Sequence, residues 1–79
     1  LSGAKQIVRF DKEGNKQVLV DNAPCNDLVV LTHGLYYTDS PQGKVWYVSH
    51  DGQRKQVDEG LQFPNGVICS PDQTQLFVT

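Results

Sequence analysis

The sequence predicts an all-β chain, and three observations lead there. Short β-prone runs alternate with clusters of Gly, Pro, Asn and Asp. No apolar set recurs at i, i+3, i+4, i+7 over the length a helix needs. Two stretches, Asn26 to Thr38 and Asn65 to Thr79, repeat one order of turn, apolar strand, turn and strand.

Taken in order, Gln6 to Phe10 is the first β-prone run, Glu13-Gly14 gives a hairpin turn, and Lys16 to Val20 returns as the second strand. Pro24 withholds a ladder donor and biases its predecessor to extended geometry, so a new unit begins there. Asp27 to Leu31 is almost wholly aliphatic, the pattern of a strand buried on both faces, and Leu35 to Thr38 follows it with two tyrosines. Asp39 to Gly43 is loop chemistry. Lys44 to Ser49 is a strand carrying Trp46, and His50-Asp51-Gly52 turns the chain into the more polar Gln53 to Val57. Pro64-Asn65-Gly66 then launches Val67 to Cys69, and Ser70-Pro71-Asp72 turns into Leu76 to Thr79.

Laying residues 7–38 over 45–79 pairs Ile7 with Val45, Phe10 with Val48, Gly14 with Gly52, Asn26 with Asn65, Leu35 with Leu76 and Thr38 with Thr79. The period is about 40 residues with four strands each, that of a β-propeller blade. The expected organisation is a single partial propeller unit over 1–79: residues 1–20 as two outer strands of one blade, 21–58 as a complete blade, and 59–79 as two inner strands of the next. Two blades cannot close a ring, and stacked repeats need neighbours to cover their apolar faces. Those neighbours come either from a longer chain or from a homo-oligomer, in which Asn65 to Thr79 of one copy supplies inner strands for Gln6 to Val20 of the next. Leu1 at the start and the absence of methionine suit a processed product or a piece of something longer.

At 79 residues the chain makes one small domain at most, burying roughly 60% of the surface it exposes when unfolded. Its net charge of −2 is dispersed, which excludes a basic nucleic-acid footprint. No apolar run reaches the roughly 20 residues that cross a bilayer, and no signal peptide heads the chain, so a soluble protein without membrane partners is expected; compartment stays open. Cys25 and Cys69 are not spaced as Cys-x-x-Cys; two small buried thiols are the first expectation, with a disulfide or a reactive thiolate as alternatives.

Asn26-Asp27-Leu28-Val29-Val30, Gly34-Leu35-Tyr36-Tyr37-Thr38-Asp39, Phe63-Pro64-Asn65-Gly66-Val67, Ser70-Pro71-Asp72 and Leu76-Phe77-Val78-Thr79 are the clearest parts of a pattern that runs along nearly the whole chain. In these stretches the sequence resembles the SMP-30/gluconolactonase/LRE-like family, six-bladed propellers that hydrolyse lactones with a bound divalent metal. Strictosidine-synthase-like propellers carry softened versions of the same strings. The resemblance implies that Asn65 is a metal ligand and that Asn26 faces the substrate pocket. A carboxamide oxygen is a hard neutral donor suited to calcium, and zinc or manganese are further candidates for the cofactor. It implies a small-molecule lactone substrate and, if three two-blade copies close a six-bladed ring, a trimer. The sequence also departs from the pattern. The family's glutamate and aspartate ligands have no counterpart in these residues, Cys25 stands where many bacterial members have proline, and Pro24 stands where animal members have a substrate-binding arginine. The chain alone is therefore expected to bind metal weakly or not at all, and no catalytic residue can be assigned. A non-catalytic binding or scaffold propeller is the alternative, as is a two-blade unit that forms an inactive ring.

Simpler roles stand beside these. Asn65-Gly66 after proline is good turn chemistry, since both residues tolerate positive φ, and Asn26 could cap the first backbone groups of its strand. Alternation turns Asp27 away from the face of Asn26, which weakens it as a base. Asp39 and Asp72 suit loop and turn roles, His33 and His50 suit solvated turns, and Tyr36, Tyr37, Trp46, Tyr47 and Phe77 suit packing.

Overall fold

The computed structural model describes residues 5–79, so the first four residues of the expected outer-strand segment lie outside the described residues. Eight strands follow in chain order: β1 Ile7–Phe10, β2 Lys16–Val20, β3 Leu28–Leu31, β4 Gly34–Asp39, β5 Lys44–Ser49, β6 Arg54–Asp58, β7 Val67–Cys69 and β8 Leu76–Val78. The architecture is all-β, and every strand pairing is antiparallel. β1 and β2 form a two-stranded sheet, β3 to β6 form a four-stranded meander in sequence order, and β7 and β8 form a second two-stranded sheet. Among the described residues no helix is long and apolar enough to cross a membrane.

The turns hold because their residues satisfy the backbone groups that the strands leave over. Asp11 accepts from the amides of Glu13 and Asn15 through Oδ1, and the chain reverses at Gly14, whose φ of 89° suits a residue without Cβ. Gly52 does the same between β5 and β6 at φ 88°. The two turns bond alike: Asp11 N–H donates to Asn15 O (3.0 Å) and Gly14 N–H to Asp11 O (3.0 Å), while Ser49 N–H donates to Gln53 O (2.9 Å) and Gly52 N–H to Ser49 O (2.9 Å). After β7, Ser70 Oγ donates to Asp72 and accepts from the Gln75 amide, closing the Ser-Pro-Asp turn as its sequence implied.

The core lies between the first sheet and the middle one, where Ile7, Val20 and Ala23 meet Leu35, Tyr37 and Val48. β4 is the buried strand, with Gly34, Leu35, Tyr37, Thr38 and Asp39 all enclosed. Tyr37 stacks on Trp46 with centroids 6.4 Å apart, and the Arg54 guanidinium lies 4.5 Å from the Trp46 ring centroid while Nη1 donates to the Tyr37 hydroxyl (2.9 Å). Burial pushes the Tyr37 phenol up, and Arg54 pulls part of that back.

One expectation is corrected. β3 is not buried on both faces: Leu28 is 37% and Val30 67% exposed. Leu31, on the opposite face, is buried, and β7 is packed against β3. The face carrying Leu28 and Val30 looks toward the first sheet, whose two strands are too few to cover it.

The third sheet is fastened to the middle one by polar groups. Thr38 Oγ1 donates to Asn65 O (2.8 Å), Val67 N–H donates to Asp27 Oδ2 (3.0 Å), Ser40 Oγ donates to Pro64 O, and Thr32 N–H donates to Gln73 Oε1 (3.0 Å).

Candidate functional site

Asn26 and Asn65 are held in the same way. Asn26 N–H donates to Thr38 O (2.9 Å) and Thr38 N–H to Asp27 O (2.9 Å); Asn65 N–H donates to Thr79 O (2.7 Å) and Thr79 N–H to Gly66 O (3.0 Å). Each threonine hydroxyl also accepts the next amide, Asp27 N–H at Thr38 Oγ1 (3.2 Å) and Gly66 N–H at Thr79 Oγ1 (3.0 Å). Each asparagine thus sits just ahead of a strand, β3 or β7, clasped through its backbone by a threonine at the end of the neighbouring strand.

Both simpler roles for the asparagines lose ground. The first amides of β3 are capped by Thr38 and by Asp27 Oδ1, which accepts from Leu28 N–H (2.9 Å). In the second turn the residue with positive φ is Phe63 (47°), while neither Asn65 nor Gly66 adopts it. Both asparagines are exposed, and both line one cleft of about 350 Å³ together with Lys5, Pro24, Cys25, Ser40, Pro41 and Phe63. The structure therefore brings together the two residues that the sequence singled out.

The sequence reading missed Ser40, Lys5 and Phe63 as cleft residues. Ser40 is buried, and its hydroxyl reaches across to Pro64 O instead of serving the turn that the Ser-Pro pair signals. Phe63 is 75% exposed, an unusual position for a large apolar ring.

The other candidates fall elsewhere. The Asp27 carboxylate bridges Leu28 N–H and Val67 N–H, so it joins two sheets instead of facing the cleft. Asp39 is buried and accepts from Gln42 N–H (3.2 Å) in its loop. Asp72 is held below the usual carboxylate range by hydrogen bonds from Ser70 and Thr74. His33 rests against the Tyr47 ring (5.7 Å), and His50 Nε2 lies 2.7 Å from Thr32 O; both are exposed. Cys25 and Cys69 are free thiols, half-buried, without a disulfide between them. Burial, then the nearby Asp27, pushes the Cys25 thiol up, which opposes a reactive thiolate at neutral pH.

As a cation site the cleft is incomplete. Its walls offer two carboxamides and a hydroxyl without a carboxylate, and among the described residues no cluster of three His, Cys, Asp or Glu could hold a metal. Calcium takes six to eight oxygen ligands, usually with carboxylates among them. The residues present do not fit a divalent-cation site by themselves.

The sequence is similar to a gluconolactonase of Zymomonas mobilis subsp. mobilis, at 35% identity over 74 residues, a match covering 73% of this chain and 20% of that protein. The chain thus spans about a fifth of the length of the curated relative it matches. No family model matches, and no solved structure matches. A distant relation to gluconolactonases is what this similarity supports.

Proposed function

We propose that this chain is a two-blade portion of a gluconolactonase-like, six-bladed propeller, and that its cleft is part of a site for a small lactone. Asn26 faces the substrate, and Asn65 is one donor to a divalent metal, calcium first, whose carboxylate ligands come from outside these residues. The observation that carries this is the shared cleft, with both carboxamides displayed by the same threonine clasp. The recurrence of the Asp11 and Ser49 turns, and of the Thr38 and Thr79 clasps, supports four-stranded blades repeating about every 40 residues. The distant similarity to a gluconolactonase supports the substrate class.

Chemically, the cleft can orient a polyhydroxylated ring: a carboxamide both donates and accepts, and Phe63 offers an apolar surface beside it. No acid, base or nucleophile is assigned. The lack of a carboxylate among the lining residues favours a second reading, a propeller section that binds without catalysis.

The test is titration of the labelled chain with gluconolactone, with and without calcium, while following the side-chain amide resonances of asparagine. Movement of the Asn26 and Asn65 signals together, and its loss in Asn65→Ala, is the expected result. Unmoved signals at both positions would refute the site. Hydrolysis of gluconolactone by the full propeller of which this chain is a portion, tested with calcium, zinc or manganese, separates the two readings: a metal-dependent rate lost in Asn65→Ala favours the enzyme, and background rates in both proteins favour binding alone.

A further inference from the structure

We infer that the lactone cleft continues into a second pocket for a neutral sugar unit, so that the ligand is a lactone carrying a glycosyl group. The inference rests on the proposed lactone site and extends it. Beside the cleft of Asn26 and Asn65 lies another of about 350 Å³, and Ser40, Pro41 and Phe63 line both. One molecule can therefore occupy the two at once, crossing the wall that they share.

The second pocket is built between the loop from β4 to β5, residues 40–43, and the segment 59–66 that leads from β6 into β7. Both are pinned. Asp39, 1% exposed, accepts from Gln42 N–H (3.2 Å), Gly43 N–H donates to Ser40 O (3.2 Å), Leu61 N–H donates to Gly43 O (3.0 Å), and Ser40 Oγ donates to Pro64 O. At Gly43 the two backbones lie so close that an added Cβ would collide with Leu61 O. The shape of the pocket is thus set before a ligand arrives, which lowers the ordering cost of binding.

Its chemistry is that of a sugar subsite. Gln42 and Gln62 are exposed and line it, and each carboxamide both donates and accepts. Among the described residues no charged side chain lines it, so its walls select neither an anion nor a cation. Phe63 is 75% exposed at φ 47°, a strained backbone for an aromatic residue. Burial does not explain a ring held there, whereas a ligand does: an aromatic face is negatively polarised and meets the C–H bonds along one side of a sugar ring. Fixed neutral hydrogen-bonding groups beside an aromatic surface favour a hydroxylated ring over an alkyl chain.

The test uses the full propeller of which this chain is a portion, nitrogen-labelled at its asparagine and glutamine side-chain amides and saturated with calcium. It is titrated with gluconolactone and with maltobionolactone and cellobionolactone, the same lactone carrying an α- or a β-linked glucose, each freshly dissolved. Gluconolactone is expected to move the Asn26 and Asn65 signals alone. At least one glucosyl lactone is expected to move Gln42 and Gln62 as well and to bind about tenfold tighter, the worth of one net hydrogen bond. That advantage is expected to vanish in Gln42→Ala/Gln62→Ala and in Phe63→Ala, and to persist in Phe63→Tyr; all three positions are exposed. Glutamine signals unmoved by both glucosyl lactones, or equal affinities for all three compounds, overturn the second pocket. The asparagine signals separate this failure from failure of the lactone site. If they move while the glutamines do not, the site stands and its extension falls; if the glutamines alone move, the sugar pocket stands and the lactone reading falls.

Discussion

Replacing Thr38 with valine tests the clasp that places both asparagines. Thr38 is fully buried; its hydroxyl accepts from Asp27 N–H and donates to Asn65 O, so one atom joins the middle and third sheets. Valine keeps the volume and removes the hydroxyl, leaving an amide and a carbonyl without that partner. A buried group stranded in this way costs about 1–3 kcal/mol. Asp27 is half-buried and Asn65 exposed, which places each at the low end and the pair near 2 kcal/mol. Thr38→Ser keeps the hydroxyl and loses one methyl, worth about 1 kcal/mol. Thr79→Val removes the equivalent hydroxyl at an exposed position where water replaces it, and costs within about 0.5 kcal/mol. Urea unfolding followed by the fluorescence of Trp46, the single tryptophan, measures all three at one protein concentration. The expected order of loss is Thr38→Val, then Thr38→Ser, then Thr79→Val. A Thr38→Val protein no less stable than the serine variant would refute the account of the clasp.

Other outcomes follow from the same contacts. Asp27→Ala frees the Leu28 and Val67 amides and is expected to cost about 1–2 kcal/mol, with faster hydrogen exchange at Val67 than at residues of β6; unchanged exchange would show that the carboxylate does not hold the third sheet. Asp11, Asp51 and Asp72 are held below their usual range, first by hydrogen bonds from Asn15, Ser49 and Ser70 respectively. A depressed carboxyl stabilises the fold above its unfolded pKa and loses that contribution as pH falls through its folded pKa. Stability is therefore expected to be flat near neutrality and to fall below about pH 4, and the triple Asp→Asn variant flattens that fall. Cys25, pushed up by burial and then by Asp27, is expected to react with iodoacetamide at pH 7 more slowly than free cysteine and to speed up as pH rises; a rate equal to free cysteine would contradict its burial.

Much of the fold was legible because strand periodicity and turn residues are local. Lys16–Val20 and Lys44–Ser49 fall where the sequence puts them, and the other strands differ by a residue or so at their ends. What failed was non-local. The aliphatic run of β3 signals burial on two faces, yet burial depends on what packs above it, and two-stranded β1–β2 leaves Val30 open. Asn26 and Asn65 could be picked out because they precede matching strands, and the cleft does hold both. Thr38 and Thr79 were visible as matched residues, but their hydrogen bonds were not. Asn65-Gly66 looked like the left-handed step of its turn, whereas the chain takes that step at Phe63, since the backbone around Asn65 is already committed to Thr79. Lys5 and Ser40 reach the cleft through pairings that span many residues, and no short pattern announces them.

Phe63 sets a limit on how the cleft can be re-engineered. An aromatic residue at φ 47° occupies a backbone region in which glycine is at ease and a bulky side chain is strained. Glycine at this position would relax the backbone and erase the one aromatic surface among the described residues lining the cleft. Selection for a sturdier protein and selection for the shape of the cleft pull position 63 in opposite directions, so a stabilised variant found by screening is expected to have blunted the cleft there first.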